Sequence, residues 1–140
     1  MNNKLVLINL NDLLEENIHK INSRSFNDNI INQIVDLSEK CYYFGVFSKN
    51  MNEYEIRGIL ARNNIDVNLF DIYLDNNYSD PFDFGAEVVT KVIKNDFDYK
   101  DVLVINCMQY ISIFQYLKIK ETIMNKQLSL KDVVLAIMEN

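Results

Sequence analysis

An apolar run, Lys4-Leu-Val-Leu-Ile-Asn9-Leu-Asn11, closes on two side-chain amides separated by one residue. An amide carries no charge and exchanges no proton near neutral pH. Asn9 and Asn11 can therefore cap backbone or orient a ligand, but they cannot serve as general acid, general base or nucleophile. Asp12 follows and is the only acid nearby. A second run ends Gly45-Val-Phe-Ser48-Lys49-Asn50, a hydroxyl, an ammonium and an amide in an ordinary turn. Beyond a third run lie Asp75 and Asp80 with Asn76 and Asn77 between them. That spacing is not that of an EF-hand, and solvated loop acids are far commoner than calcium ligands. A fourth run ends Val102-Leu-Val-Ile-Asn106-Cys107. A cysteine nucleophile needs a base and a lowered pKa. The only histidine, His19, lies in the excursion after the first run, so a Cys–His enzyme is not the reading.

These residues share one kind of place, the end of a strand-like segment. Leu5–Leu10, Cys41–Phe47, Leu69–Leu74, Asp101–Ile105 and a short Glu121–Met124 are the predicted strands, apolar as buried parallel strands are. Asp12–Ile21 reads as a short helix or irregular excursion and Asn22–Asp28 as a loop. Ile30, Ile31, Ile34, Val35 and Leu37 then recur at helical spacing. Asn52 and Glu55 form a capping-box pattern, with Met51 and Ile56 placed as a hydrophobic staple, and start a helix reaching to Arg62. Val88, Val89, Val92 and Ile93 mark another helix, and Met108–Leu117 a further one. Ser129 with Asp132 caps the last, which carries Leu130, Val133, Val134 and Ile137 on one face. Strands alternating with such helices predict a three-layer α/β/α sandwich around a mostly parallel five-stranded sheet, a Rossmann-like arrangement. Ligands of such folds bind at the carboxyl ends of the strands, where the residues above fall.

The order and spacing of these strand ends resemble the haloacid dehalogenase (HAD) superfamily of phosphatases, over nearly the whole chain and by pattern more than identity. The first motif of that family is an apolar strand ending Asp-x-Asp-Gly-Thr-Leu; here it reads Asn9-Leu10-Asn11-Asp12-Leu13-Leu14. The second is a strand ending in Ser or Thr before a capped helix, matched by Ser48. Asn68-Leu-Phe-Asp71-Ile resembles the Phe-Asp that precedes the third strand. The third motif is a lysine, often Lys-Pro; the local match is Asp80-Pro81, a charge reversal, and nothing places Lys91 or Lys94 in the site. The fourth, an apolar strand ending Gly-Asp with the acid on magnesium, is matched by Asn106-Cys107. The resemblance implies that Asn9, Asn11, Ser48, Asp80 and Cys107 occupy degenerate positions of a phosphatase site. The aspartyl-phosphate nucleophile, the acid–base residue and the magnesium acids would all be missing. Asp12 is one residue out of register, which on a strand would turn it to the other face. It also implies a single domain over 1–140 with no cap domain, since Asn9 to Ser48 leaves room for a helix and a small flap. Capless members act on large substrates or recruit a partner as lid.

Composition narrows the partners. Lys and Arg number 14 against 20 Asp and Glu, a net charge of −6, which argues against nucleic acid and against an anionic membrane. The longest basic cluster, Lys118, Lys120 and Lys126, is thin and interrupted by Glu121. No apolar stretch is long enough to span a bilayer, and no secretion signal is expected. Cys41 and Cys107 lie in apolar runs and read as buried thiols of a cytoplasmic protein. Met108–Leu117 is apolar almost all round; Tyr110, Phe114 and Tyr116 suit either an interface with a protein partner or second copy, or burial beneath the last helix. The leading expectation is a catalytically inactive HAD-like domain acting as a protein-binding or regulatory module, with no cofactor. One alternative is a divergent magnesium-dependent phosphatase using Asp12, Asp75 or Asp80. The other is a receiver-like signalling domain built on Asn11-Asp12, Asp75 and Lys126. Strand order separates them: a HAD sheet has its first strand between the second and fourth, a receiver between the second and third.

Overall fold

Five parallel strands form one sheet in the computed structural model, which describes residues 3–14, 26–77, 80–107, 112–125 and 129–139. They are β1 (Lys4–Asn9), β2 (Tyr42–Phe47), β3 (Ile72–Tyr73), β4 (Val102–Ile105) and β5 (Lys120–Thr122), in spatial order β3-β2-β1-β4-β5. The helices are α1 (Asp28–Ser38), α2 (Glu53–Arg62), α3 (Pro81–Lys94), α4 (Ser112–Tyr116) and α5 (Leu130–Met138). β1 takes the centre because all four of its interior residues are apolar and buried. Val6 and Ile8 pack under α1, α2 and α5, whereas Leu5 and Leu7 pack under α3 and α4, the two-residue alternation of a strand covered on both faces. The result is the expected three-layer sandwich. β1 lies between β2 and β4, so the receiver-like alternative, which needs β1 beside β3, does not hold.

Local chemistry explains most boundaries. Asn52 and Glu55 form the capping box, and Met51 and Ile56 both join the core beneath α2. Ser129 caps α5 by accepting from the Asp132 amide at 3.3 Å. Asn27 caps α1 through the Asn29 and Ile30 amides. α2, α3 and α4 each end on a residue in the left-handed region, Asn64, Asp96 and Lys118. The next residue (Ile65, Phe97, Ile119) then donates back into the last turn. Gly45 in β2 serves a close approach: a Cβ there would sit 2.5 Å from Leu7 Cδ2.

Several expected elements differ. The predicted third strand is shorter, because Asp66 accepts from the Asn68 amide and winds Val67–Leu69 into a 3-10 turn. The segment after β1 is another 3-10 turn, Leu10–Leu13, followed by an antiparallel bridge between Leu14 and Phe26. Met108–Ile111, the first four residues of the predicted helix Met108–Leu117, lie outside the described residues, as do His19 and Lys126. Val35 and Ile93 were expected in apolar stripes but are exposed, since the buried faces of their helices are set by Ile30, Ile34 and Leu37 and by Phe84, Val88 and Val92. Among the described residues no helix is long and apolar enough to cross a membrane.

Candidate functional site

The carboxyl ends of β1, β2 and β4 are level with one another. The register pairs Asn9 with Phe47, the residue before Ser48. On the other side Leu7 pairs with Val104, and the same offset carried two residues on brings Asn9 level with Asn106. The topology thus gathers Asn9, Ser48, Asn106 and Cys107 at one end of the sheet.

Several residues there have identifiable structural work. Asn9 Oδ1 accepts from the Asn11 amide at 3.0 Å and starts the 3-10 turn, an Asx cap. Asn11 is exposed on that turn, and Asp12 is half-buried with its Oδ2 withdrawn from solvent. The expectation that Asp12 is turned away by strand alternation is corrected: it stands on a helical turn, where that rule does not operate. Ser48 is 2 % exposed, and its carbonyl accepts from the Met51 amide to close the β2–α2 turn. Asn106 has a φ of 53°, the left-handed conformation that glycine or asparagine tolerates. Its amide pairs both ways with Met124: Nδ2 donates to the Met124 carbonyl and Oδ1 accepts from the Met124 amide, both at 2.8 Å. The side chain thus continues the β4–β5 ladder past the end of the strands. Sequence reasoning missed this pairing, although an asparagine directly after an apolar run was the available signal.

The neighbouring acids are engaged in capping. Asp75 Oδ1 accepts from the Glu53 amide at 2.8 Å, and the Asp75 amide donates to Glu87 Oε2 at 2.8 Å. Two amides at the start of α2, a natural anion site, are thus answered by side chains, Glu53 by Asp75 and Glu55 by Asn52. Asp80 is the N-cap of α3, accepting from the Phe82 amide at 2.9 Å ahead of Pro81 in the first turn. Its acidity is explained by that cap. Asn50 and Asn76 join the turns after β2 and β3, the Asn50 amide donating to the Asn76 carbonyl at 3.0 Å.

Magnesium takes hard, charged oxygens, whereas Asn9, Asn106 and Cys107 at the strand ends offer neutral amides and a thiol, with Asp12 on the turn that follows β1 the one carboxylate directly beside them. Among the described residues no three His, Cys, Asp or Glu side chains assemble as a metal-holding group. Cys41 and Cys107 are partly exposed thiols outside any disulfide, rather than the buried thiols expected.

The proposed interface trio divides. Phe114 is 0 % exposed and packs with Leu5, Val88 and Val104, so its assignment to an interface is corrected: it is core. It is covered by α3, not by α5, which lies on the opposite face of the sheet. Tyr116 is 85 % exposed. Tyr110 lies outside the described residues.

No protein-family model matches the chain, and no curated protein matches it by sequence. Solved structures do resemble it. A probable YrbI family phosphatase from Pseudomonas syringae pv. phaseolica 1448A superposes with a TM-score of 0.52 at 10 % identity, covering 99 % of this chain and 88 % of that one. An uncharacterized protein from Listeria monocytogenes serotype 4b gives 0.53 at 12 %, covering 73 % and 66 %. A hypothetical protein from Xanthomonas campestris gives 0.51 at 8 %, covering 86 % and 63 %. The chain thus spans about two thirds of the length of the last two. At such identities the likeness is one of fold, and the fold is HAD-like.

Proposed function

We propose that this chain is a HAD-like domain without phosphoryl-transfer chemistry, acting by binding a protein partner or a second copy of itself. The observation that carries the reading is the amide pair at the end of β1. Asn9 stands where an attacking carboxylate would be required and is tied to the Asn11 amide instead. The closure of the α2 amino end by Asp75 supports it, because a carboxylate there repels a phosphate. Thermal melting with and without millimolar magnesium and beryllofluoride tests the reading. A ligand raises the melting temperature only if it binds the native state, so no shift is expected in the natural protein. Asn9→Asp, Asn11→Asp and Cys107→Asp introduced together are expected to create a magnesium-dependent shift. A shift already present in the natural protein overturns the proposal.

The second reading, a divergent magnesium-dependent phosphatase, draws support from the half-buried Asp12 beside the strand ends and from the phosphatase fold. It requires magnesium-dependent turnover of a generic phosphate ester that Asp12→Ala abolishes. Turnover meeting that condition would replace the first reading.

A further inference from the structure

A cleft of about 450 Å³ opens at the other end of the sheet, by the amino ends of β2 and β3 and the last turn of α1. That volume falls within the roughly 300–1,000 Å³ usual for ligand sites. One wall is apolar: Ile31 and Val35 from α1, Ile65 and Leu69 from the segment between α2 and β3. Val35 is 41 % exposed, an apolar side chain left open at the mouth. The lining also includes two carboxylates, Asp66 and Asp71, and among the described residues no Lys or Arg lines the cleft. Arg57 is held elsewhere, 2.7 Å from Glu53 and stacked 4.2 Å over the Tyr73 ring.

Both carboxylates are fixed. Asp66 Oδ1 accepts from the Asn68 amide at 2.9 Å, and Asp71 Oδ2 accepts from the Phe44 amide at 3.3 Å. The Asp71 amide also donates to the Phe44 carbonyl at 2.8 Å, so the residue is anchored to β2 from both its backbone and its side chain. The backbone therefore holds both carboxylates in place, Asp71 through its own amide as well as that of Phe44. Asp71 is exposed overall, yet partial desolvation of its carboxyl raises its pKa, a cost that a neighbouring cation would relieve.

We infer that this cleft receives a basic side chain, arginine or lysine, presented by a partner polypeptide. The apolar wall accommodates the methylene stem and the two carboxylates take the charged head, the two-part recognition that long basic side chains require. A polypeptide is favoured over a free metabolite because the rim is surface: Asn64, Asp66 and Asp71 are all exposed. The inference rests on the binding reading above and places the contact at the end of the sheet away from the amide pair.

The test is a titration of the full chain with Nα-acetyl-arginine amide, followed by backbone amide NMR shifts. Saturable shifts are expected at residues 65–71 and along α1, weakened at least fivefold for the uncharged isostere Nα-acetyl-citrulline amide. Asp66→Asn with Asp71→Asn should weaken binding by a similar factor. Asparagine keeps an acceptor oxygen for each backbone amide, and Asp66→Asn alone serves if the double variant melts early. Absence of saturable shifts overturns the inference, as does an equal response to the citrulline compound or in the Asn variants. Tighter binding of putrescine than of the blocked arginine overturns the polypeptide source. Because the probe reports on the amino ends, its failure is distinct from a magnesium response at the carboxyl ends.

Discussion

At the scale of single residues, asparagine takes on backbone duties that glycine performs in many folds. The chain has three glycines, and none of those described adopts a positive φ. Asn50, Asn64 and Asn106 do, and Asn9, Asn27 and Asn52 cap helical turns. Asparagine abundance by itself says little, but position does: those ending apolar runs or opening helices are structural. Asn106 is the most demanding of them because it uses both ends of its amide. Asn106→Asp replaces a donor with an acceptor facing the Met124 carbonyl, so a lost bond and an uncompensated oxygen should together cost about 1–3 kcal/mol. Urea unfolding would read that loss, with Asn106→Gln unable to restore it because its longer side chain misplaces the amide. An unchanged midpoint for Asn106→Asp would remove the ladder-extending role.

At the scale of elements, the strand centres and helix caps were legible and the edges were not. The continuous apolar run of β1 identifies a central parallel strand because both of its faces must be covered. The Asn52–Glu55 box fixes the start of α2 because its chemistry is local. β3 was overextended because the turn chemistry of Asp66 and Asn68 competes with the apolar residues that follow. α4 was misjudged for a different reason. The predicted helix Met108–Leu117 is apolar almost all round, so its pattern does not say which aromatic is buried, and Phe114 and Tyr116 looked alike. Their environments are opposite, which predicts opposite costs. Phe114→Ala should destabilise by about 3–5 kcal/mol as a core cavity, whereas Tyr116→Ala should fall within about 0.5 kcal/mol. Chemical denaturation of the two variants checks this, and equal costs would contradict the placement of α4. Little of the capping by Asp75 and none of the Gln33 contact with α5 could be read in advance. Gln33 Oε1 accepts from the Lys131 amide 98 positions away, at 2.8 Å.

At the scale of the whole molecule, a cluster outside either candidate site joins distant parts of the chain. Lys4 Nζ donates to Glu139 Oε1 at 2.9 Å and to the Met138 carbonyl at 3.1 Å, and the Tyr42 hydroxyl donates to the same Glu139 oxygen. The hydrogen bond from Tyr42 and the one from Lys4 hold the Glu139 carboxyl below its usual range. Burial first, then Glu139, pushes the Tyr42 hydroxyl well above its own. A carboxylate with a depressed folded pKa contributes stability that is present above its unfolded value, near about 4.3, and is lost as pH falls through the folded one. The melting temperature should therefore decline on acidification below about pH 4, and Glu139→Gln should flatten that decline by lowering the melting temperature in the neutral range, where the ionised carboxylate contributes, and converging with the natural protein in acid. An identical acid limb in Glu139→Gln would show that other carboxylates govern it. The whole-molecule architecture was the most legible level of all, because strand count, alternation and crossover handedness leave few topologies open.

The same contact has a geometric meaning. Residues 4 and 139 touch through their side chains, so the first strand and the end of the last helix lie side by side at the surface although nearly the whole chain separates them. Connectivity and architecture are then separable: a short glycine bridge between those two residues, with a new opening cut at the exposed turn around Asn95 and Asp96, would give a circular permutant. Such a chain would begin at β4 yet build the same sheet. The order of strands along the polypeptide is thus one of several that this architecture admits.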